Sequence, residues 1–441
     1  MKRVSTFPKG GVHPPGKKAL ASGNPIKNAV LSSVFIVPLS QHLGKPSECL
    51  VSAGDEVREG MLIGKSSGFI SSSIHAPVPG TVKEIRDIYL PNGMKSQAVV
   101  IELAGEFDRL GKEETLIDWK NIPADKLIAT LLENGIVGLG GATFPAHVKF
   151  SVPKGKKAEY FVVNGVECEP YLNADHRLML ERRDMVLEGI EIIRKMTGAE
   201  KIAIGIEINK PDAIEFMREG AKAANMDLEI VPLKVKYPQG DEKQLLKAVT
   251  GREVPSGGLP LDIGAIVANV GTVYAVYEAV VLGKPLIERV VTVTGGAIRN
   301  PQNLKVRIGT PVRSLIEECG GFTEEPEKLV MGGPMMGFTF YDLDTPVAKG
   351  TSGILALTKK EIKAARQTSC LSCGRCVSVC PMGLNPTSLY KQIDHGEYGA
   401  AMDMGLMDCK ECGCCGFTCP ARIPLVQGMR LGKKMGRKIG A

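Results

Sequence analysis

Two stretches of this sequence, CLSCGRCVSVCP from Cys370 to Pro381 and CKECGCCGFTCP from Cys409 to Pro420, repeat one cysteine pattern. Each carries Cys-x2-Cys-x2-Cys-x3-Cys-Pro: Cys370, Cys373, Cys376 and Cys380, then Cys409, Cys412, Cys415 and Cys419. Three thiolates at that spacing wrap one face of an iron-sulfur cubane, and the fourth, past a turn fixed by proline, points to the neighbouring cubane. Zinc ribbons use pairs of Cys-x2-Cys without the x3-Cys-Pro ending. The spacing therefore predicts two 4Fe-4S clusters, one on Cys370, Cys373, Cys376 and Cys419, the other on Cys380, Cys409, Cys412 and Cys415. Cys414 is left over, because only one residue separates it from Cys412, too few for the same wrap; its exchange for a neighbouring ligand is the alternative. Nine of the 12 cysteines fall between Cys370 and Cys419, and Cys49, Cys168 and Cys319 are scattered, which is not how a disulfide framework is spread along a chain of this size.

Two clusters in one small domain form an electron relay, and a relay needs a donor and an acceptor. At 441 residues the chain is long enough for roughly three or four domains. Its 44% hydrophobic and 23% charged residues are the proportions of a globular protein. The stretch Ile263 to Gly283 is the one candidate membrane span, but Asn269 and Glu278 interrupt it, so a buried strand-turn-helix is expected. No apolar segment follows the basic start, so no secretory signal is expected and the chain is placed in the cytoplasm. The net charge of +7 is uneven: seven Lys or Arg precede the first acid, Glu48. The other end carries Arg422, Arg430, Lys433, Lys434, Arg437 and Lys438 with no acid, and Leu431, Met435 and Ile439 as an apolar stripe. That pattern suits either a solvated helix or docking on an anionic surface. Nucleic acid is disfavoured as a partner, since aromatics are few and no recognition motif accompanies the charge.

From Val34 to Leu103, short apolar runs broken by Gly, Pro and Ser predict a small β module. The stretch VSAGDEVREGMLIG through APVPGTVKEI resembles the barrel-sandwich fold of lipoyl and biotinyl carriers, with Phe69 about where the carrier lysine would lie. A swinging arm is therefore not expected. Residues 122 to 285 alternate helix and strand signals, including one long helix from Asp175 to Gly198, and imply a mostly parallel sheet with helices on its faces. Residues 289 to 357 read as a small mixed unit with a glycine-rich turn, MGGPMMG.

The parallel-sheet region holds four polar constellations. GIVGLGGATFPAHVKF offers Gly138, Gly140 and Gly141, whose backbone could close on a phosphate, and Lys149 as a point charge. It lacks the dinucleotide fingerprint, having Thr143 at the sixth position, and alone it reads more readily as a turn. VVNGVECEPYLNADHRLM brings Asn164, Glu167 and Glu169; YPQGDEKQLL brings Gly240, Asp241 and Glu242; IVANVGTVYAV brings Asn269 and Thr272. Acids beside a phosphate loop suit the hydroxyls of a flavin or of a nicotinamide nucleotide, or are surface acids completing turns.

Together these stretches resemble the NADH-oxidising, FMN-binding subunit of respiratory complex I. The resemblance implies FMN on Gly138, Gly140, Gly141, Lys149, Asn164, Glu167, Gly240, Asp241, Asn269 and Thr272, and NADH facing Phe144, Glu169 and Glu242. Departures stand at Leu139, where that family has Arg, at Thr143 and His147 for glycines, at Val166 for Asp and at Asp241 for Glu. Over nearly the full length, with TFPKGGVHPPGKK at the start and both cysteine runs, the sequence is similar to the RnfC family, a component of the Rnf complex, which is a membrane-bound ferredoxin:NAD+ oxidoreductase of bacteria. The implied architecture is multidomain α/β and β: a barrel-sandwich hybrid (1–115), a complex-I-flavoprotein-like α/β FMN domain (116–288), a β-grasp, soluble-ligand-binding domain (289–357) and a ferredoxin-like two-cluster domain with a basic tail (358–441).

The implied function is a peripheral subunit on the cytoplasmic face of the plasma membrane, reacting with NAD(H) and passing electrons between FMN and two 4Fe-4S clusters. Coupling to Na+ or H+ would lie in membrane subunits, and ferredoxin would be an indirect partner. A flavin and iron-sulfur cobalamin reductase is one alternative, disfavoured by the N-terminal module. A non-catalytic scaffold subunit of a sodium-pumping quinone reductase is another, disfavoured by the cysteine runs.

Overall fold

The computed structural model describes residues 4–439 apart from 111, 113 and 363–365, and the expectations that involve Lys2, Arg3 and the Ile439 side chain lie outside the described residues. The β module closes two sheets on each other. One has four strands in the order Val34–Pro38, Lys95–Leu103, Gly80–Tyr89, Glu56–Val57; the other has three, Glu48–Cys49, Leu62–Lys65, Ile74–His75. Phe35, Val37, Ile63, Ile74, Val99 and Ile101 interdigitate between them.

The second layer is a parallel sheet in the order Leu228–Leu233, Lys201–Glu207, Tyr160–Asn164, Ala265–Asn269. Helices cover both faces, so its strands are buried almost throughout instead of alternating. The chain runs from Tyr160–Asn164 outward in one direction and then returns to place Ala265–Asn269 on the other side. A crevice opens at such a reversal, beyond the carboxyl ends of the strands. The single long helix expected after Asp175 is two, Ala174–Glu181 and Arg183–Thr197, because Arg182 leaves helical geometry at φ −133° and ψ 30°. The break lets the second helix lie along Val270–Val281, where a Cβ on Gly189 would come within 2.4 Å of the Val273 carbonyl. The stretch from Ile263 is the expected buried strand and helix, and among the described residues no helix is long and apolar enough to cross a membrane.

The third layer is a six-stranded mixed sheet, Ile26–Asn28, Gln302–Arg307, Glu288–Thr294, Gly353–Leu357, Lys328–Met331, Phe338–Phe340. Its first strand comes from the N-terminal segment, which joins neither sheet of the barrel. Residues 4–28 instead act as a strap: Ser5 bridges Leu233 at the parallel sheet, Val12 bridges Tyr237, and Gly11 N–H donates to the Val379 carbonyl in the first cysteine run at 2.8 Å. A Cβ on Gly10 would sit 2.6 Å from the Cys380 backbone, so glycine is required there.

In the cysteine domain the helix Leu425–Ile439 packs on Pro386–Asp394 and Tyr398–Asp403. The seam is glycine, not the expected stripe: Gly428 lies on Tyr390, Gly432 on Ile393 and Gly436 on Met402. Leu431 points outward, 50% exposed.

Where barrel, parallel sheet and mixed sheet meet, five buried charges and the partly buried Lys305 come together. Lys284 pairs with Glu278 at 2.8 Å and with Glu288; Lys305 reaches Glu288 at 2.5 Å and Glu278 at 3.6 Å; Arg307 reaches Glu59 at 2.7 Å and Glu288 at 3.4 Å. Burial alone would raise the Glu288 carboxyl, but Lys284, Lys305 and Arg307 outweigh it and hold it down to about 2. On the other side of the barrel, the buried Lys349 ammonium donates to the carbonyls of Ser73 at 2.7 Å and Gly135 at 2.6 Å, tying all three layers. His42 and His75 lie beside it, and burial pushes their rings down to about 4 and about 3.

These histidines take a proton near pH 6.5 when unfolded and resist it when folded, so their contribution to stability is complete above 6.5 and is lost as pH falls toward 4 and then 3. Thermal unfolding followed against pH should show the midpoint falling across that window, and His75→Asn should flatten the slope relative to wild type on the same preparation. An unchanged slope in the variant would remove His75 from the account.

Candidate functional site

The switch-point crevice is bounded by two asparagines in register, Asn164 and Asn269, at the ends of neighbouring strands. Each is committed to positioning the loops around it. Asn164 Nδ2 donates to the Gly240 carbonyl at 2.8 Å, stapling the strand end to the PQGDE turn. Asn269 caps the helix Val270–Val281 by accepting from Gly271 N–H at 2.8 Å, and its Nδ2 donates to Asp175 Oδ2 at 2.6 Å. Thr272 accepts from Leu139 N–H at 2.9 Å, fixing the root of the glycine loop. That loop is closed by Gly138 N–H to the Phe144 carbonyl at 2.9 Å. A Cβ on Gly140 would come within 2.7 Å of Asn269, whereas Gly141 faces open space. The loop thus offers backbone at the crevice with no side chain over it.

Glu167, with φ 45°, accepts from Asp175 N–H at 2.8 Å and His176 N–H at 3.2 Å and so caps the helix Ala174–Glu181. Burial and the charge of Glu167 raise the Asp175 carboxyl to about 7. Asp241 caps Glu242–Thr250 by accepting from Lys243 and Gln244 N–H, and burial raises its carboxyl. Lys149 reaches Glu242 at 2.5 Å across the mouth, both partly exposed. Phe144 is half-buried at the base of the loop. The glycine loop, Lys149, Asn164, Gly240, Asp241, Glu242 and Asn269 are therefore gathered at one crevice. Glu169 is directed elsewhere: it accepts from Met335 N–H at 3.1 Å and Met336 N–H at 3.0 Å in the MGGPMMG turn and from the Tyr237 hydroxyl at 3.4 Å. Burial raises its carboxyl to about 7 against those donors.

Sequence reasoning missed Tyr237, Cys168 and Asp175, which stand inside or beside the quoted stretches but match no motif. Tyr237 donates to the Cys412 carbonyl at 2.8 Å, and Cys168 Sγ accepts from Gly240 N–H at 3.3 Å beneath the crevice. Both belong to one apolar cluster with Cys412 and Cys414.

The cysteine runs fold as near-copies. Ser372 and Glu411 adopt φ 51° and 53°, Gly374 and Gly413 φ 69° and 82°, and Gly383 and Arg422 φ 68° and 54° at matching positions. Ser372 N–H and Glu411 N–H each approach the preceding cysteine sulfur at 3.4 Å. Cys380, Cys409, Cys412 and Cys415 line one cavity, walled by Leu389, Val426 and Met429. Cys370, Cys373, Cys376 and Cys419 line a second, walled by Ile423 and Leu425. The fourth cysteine of each run thus lies with the first three of the other. Burial raises the Cys380 and Cys409 thiols and pushes Cys415 to about 12. Four sulfurs around an apolar cavity suit a cluster that takes up thiolate charge, and the residues fit the group. Cys414 also borders the first cavity, with its Sγ 3.8 Å from the Tyr237 carbonyl. That first cavity lies against the parallel-sheet domain, whereas Cys370 and Cys373 are exposed.

Family models match four segments: an RnfC barrel sandwich hybrid domain at 6–106, a Nuo51 FMN-binding domain at 131–278, an SLBB domain at 290–339 and a 4Fe-4S dicluster domain at 363–420. The expected architecture, FMN and iron-sulfur clusters agree with these matches. A solved NAD+-reducing [NiFe]-hydrogenase chain has a similar fold, with TM-score 0.51 at 15% identity over 73% of this chain and 64% of that one. The RnfC-type component of the proton-translocating ferredoxin:NAD(+) oxidoreductase complex of Clostridium ljungdahlii is 48% identical, covering 86% of this chain and 83% of that protein. Its counterpart in the Na(+)-translocating complex of Acetobacterium woodii is 44% identical over 97% and 96%, and that in the ion-translocating oxidoreductase complex of Rhodobacter capsulatus 42% over 96% and 82%. With the barrel matching the RnfC model and similarity running over nearly the whole chain, the chain belongs to the RnfC family of ion-translocating ferredoxin:NAD(+) oxidoreductase complexes.

Proposed function

We propose that this chain is the NAD(H)-reactive peripheral subunit of its complex, with the four segments 1–115, 116–288, 289–357 and 358–441 as its working units. The observation that carries the reading is the Tyr237 contact, which sets the enclosed thiol ring against the floor of the crevice. When bound, FMN exchanges a hydride with the nicotinamide and single electrons with the 4Fe-4S clusters. The chain's own residues supply position and electrostatics. The glycine loop and Gly240 present backbone, Lys149 offers its ammonium to phosphate, and Asn164, Asp241, Asn269 and Thr272 hold the loops that form the cleft. Phe144 and Glu242 stand at its mouth for NADH, whereas Glu169, spent on Met335, Met336 and Tyr237, acts as a positioning residue at the junction with the cluster domain.

The ring of Cys380, Cys409, Cys412 and Cys415, set against the parallel-sheet domain, takes the inner place in the relay, and the ring of Cys370, Cys373, Cys376 and Cys419, where Cys370 and Cys373 are exposed, the outer. The outer ring exchanges electrons with another subunit, with ferredoxin further along. Membrane subunits carry Na+ or H+, and the chain sits on the cytoplasmic face. The deciding experiment is anaerobic purification with flavin and iron assays, followed by NADH addition. Bleaching of the flavin spectrum is expected; a protein loaded with FMN that ignores NADH would end the proposal.

Lys149→Ala should weaken flavin retention roughly ten- to a hundredfold, the loss of one charge-assisted contact, and leave iron content at the wild-type value. Equal loss of both would mean general unfolding.

Cys419→Ser should disturb the cluster on Cys370, Cys373 and Cys376, read by its paramagnetic spectrum, and Cys414→Ser should keep about eight irons per chain. Loss confined to the cluster on Cys409, Cys412 and Cys415 in Cys419→Ser would refute the crossed ligation.

Deleting the tail from Gly428 would strip the glycine seam from Tyr390 and Ile393, so charge reversal is the cleaner test of docking. Lys434, Arg437 and Lys438 are exposed, and replacing all three by Glu should lower recovery with the membrane fraction while the wild type weakens with added salt. Recovery equal to wild type would dismiss the tail as a docking element.

A further inference from the structure

The barrel hairpin that in carrier domains presents a lysine presents Phe69 instead, and neither the crevice nor the cluster domain uses it. Its ring is 80% exposed, the largest exposure of any phenylalanine here, and Leu43 beside it is 51% exposed. The tip that carries it is nevertheless rigid. Ser67 N–H donates to Ser71 Oγ at 3.0 Å, Lys45 N–H to the Ile70 carbonyl at 3.0 Å, and Ser72 N–H to His42 Nε2 at 3.1 Å. Ser71 and Ser72 are fully buried. An apolar ring held out to solvent on a fixed support loses little entropy when something stacks on it.

The tip is also docked on the crevice. Leu43 N–H donates to the carbonyl of Thr143, inside the glycine loop, at 3.2 Å. Lys349 joins the Ser73 and Gly135 carbonyls on either side. The His147 ring, in the helix that follows the glycine loop, approaches the Phe69 carbonyl. Phe69 is therefore continuous with the rim of the loop whose base carries Phe144.

We propose that Phe69 is a specificity-determining residue for the dinucleotide, a platform contributed by the barrel on which the purine base stacks while the nicotinamide lies in the crevice. The proposal rests on the reading of the crevice as an NAD(H) site. A planar base is the occupant because the rim offers one flat apolar face and backbone, and the one cation against the tip, Lys45, whose side chain packs beside Gly68, suits the phosphates that a nucleotide carries next to its base. The barrel then has a role beyond that of a spacer, since it completes the site.

The test uses the full chain loaded with FMN and clusters, and compares NADH with reduced nicotinamide mononucleotide, which lacks the purine. Phe69→Ala should raise KM for NADH roughly tenfold, the factor that about 1.4 kcal/mol of base stacking supplies, and leave KM for the mononucleotide at the wild-type value. Phe69→Tyr should restore the NADH value. The chain has one tryptophan, Trp119, which is buried, so Phe69→Trp adds a surface reporter whose fluorescence ADP-ribose should quench without any turnover. An unaltered KM in Phe69→Ala, with wild type reacting normally, overturns this inference alone. Loss of membrane recovery in Phe69→Ala with unaltered KM would assign the ring to a protein partner and overturn it too. A wild type that does not react with NADH at all overturns the reading beneath it.

Discussion

Three carboxylates and three cations, each drawn from more than one domain, neutralise one another in the interior where barrel, parallel sheet and mixed sheet converge. Glu59 belongs to the barrel, Glu278 and Lys284 to the helical face of the parallel sheet, and Glu288, Lys305 and Arg307 to the mixed sheet. Glu278 and Lys284 pair within the parallel-sheet domain and Glu288 pairs with Lys305 and Arg307 within the mixed sheet, but Glu59 of the barrel has its partner only in the mixed sheet, and an unpaired internal charge costs several kcal/mol. The barrel's buried charge is therefore neutralised only when the mixed sheet is seated on it. Removing one member strands the rest, at a cost of about 3–5 kcal/mol, so the arrangement fixes the relative seating of the domains more than it adds net stability. The placement of the crevice follows from it, since Arg289, next to Glu288, reaches the Leu139 carbonyl at the root of the glycine loop at 3.3 Å.

The cluster domain is attached by different means. Its contacts are backbone groups and apolar surface: the N-terminal strap at Val379, the Tyr237 hydroxyl at Cys412, and the MGGPMMG turn, where a Cβ on Gly413 would come within 2.8 Å of the Met335 carbonyl. Glu169 reads two of that turn's amides, so one carboxylate links the parallel-sheet domain to the turn that supports the second cysteine run. Small residues at Gly10, Gly333 and Gly413 allow these backbones to approach.

The two iron-sulfur clusters were legible because wrapping a cube is a local matter of spacing, and the parallel sheet was legible because Ile202, Ile204 and Ile206 alternate within a βα series. The crevice residues were legible as stretches. Their actual contacts were not, because whether Glu167 faces a ligand or caps a helix depends on where Asp175 and His176 arrive. The strand Ile26–Asn28 joins a sheet almost three hundred residues away and carries only three residues of signal. The tail's glycines at Gly428, Gly432 and Gly436 were visible at a spacing of four, yet counting apolar side chains directed attention to Leu431 and Met435. Close helix packing is written in what is missing from a side chain, which hydrophobic periodicity does not register.

The unequal exposure of the two thiol rings gives the chain an order of failure. Oxygen and chelators reach Cys370 and Cys373 from solvent, whereas the ring at Cys380 and Cys412 is enclosed by Tyr237, Met335 and the strap. On the relay order proposed above, damage that begins at the outer cluster would leave the flavin still coupled to the inner one. A protein in that condition would continue to take electrons from its nucleotide and have nowhere to send them except dissolved oxygen. On that reading the outer ring would act as a fuse, its loss disconnecting the chain from the rest of the complex and turning a relay into an oxidase.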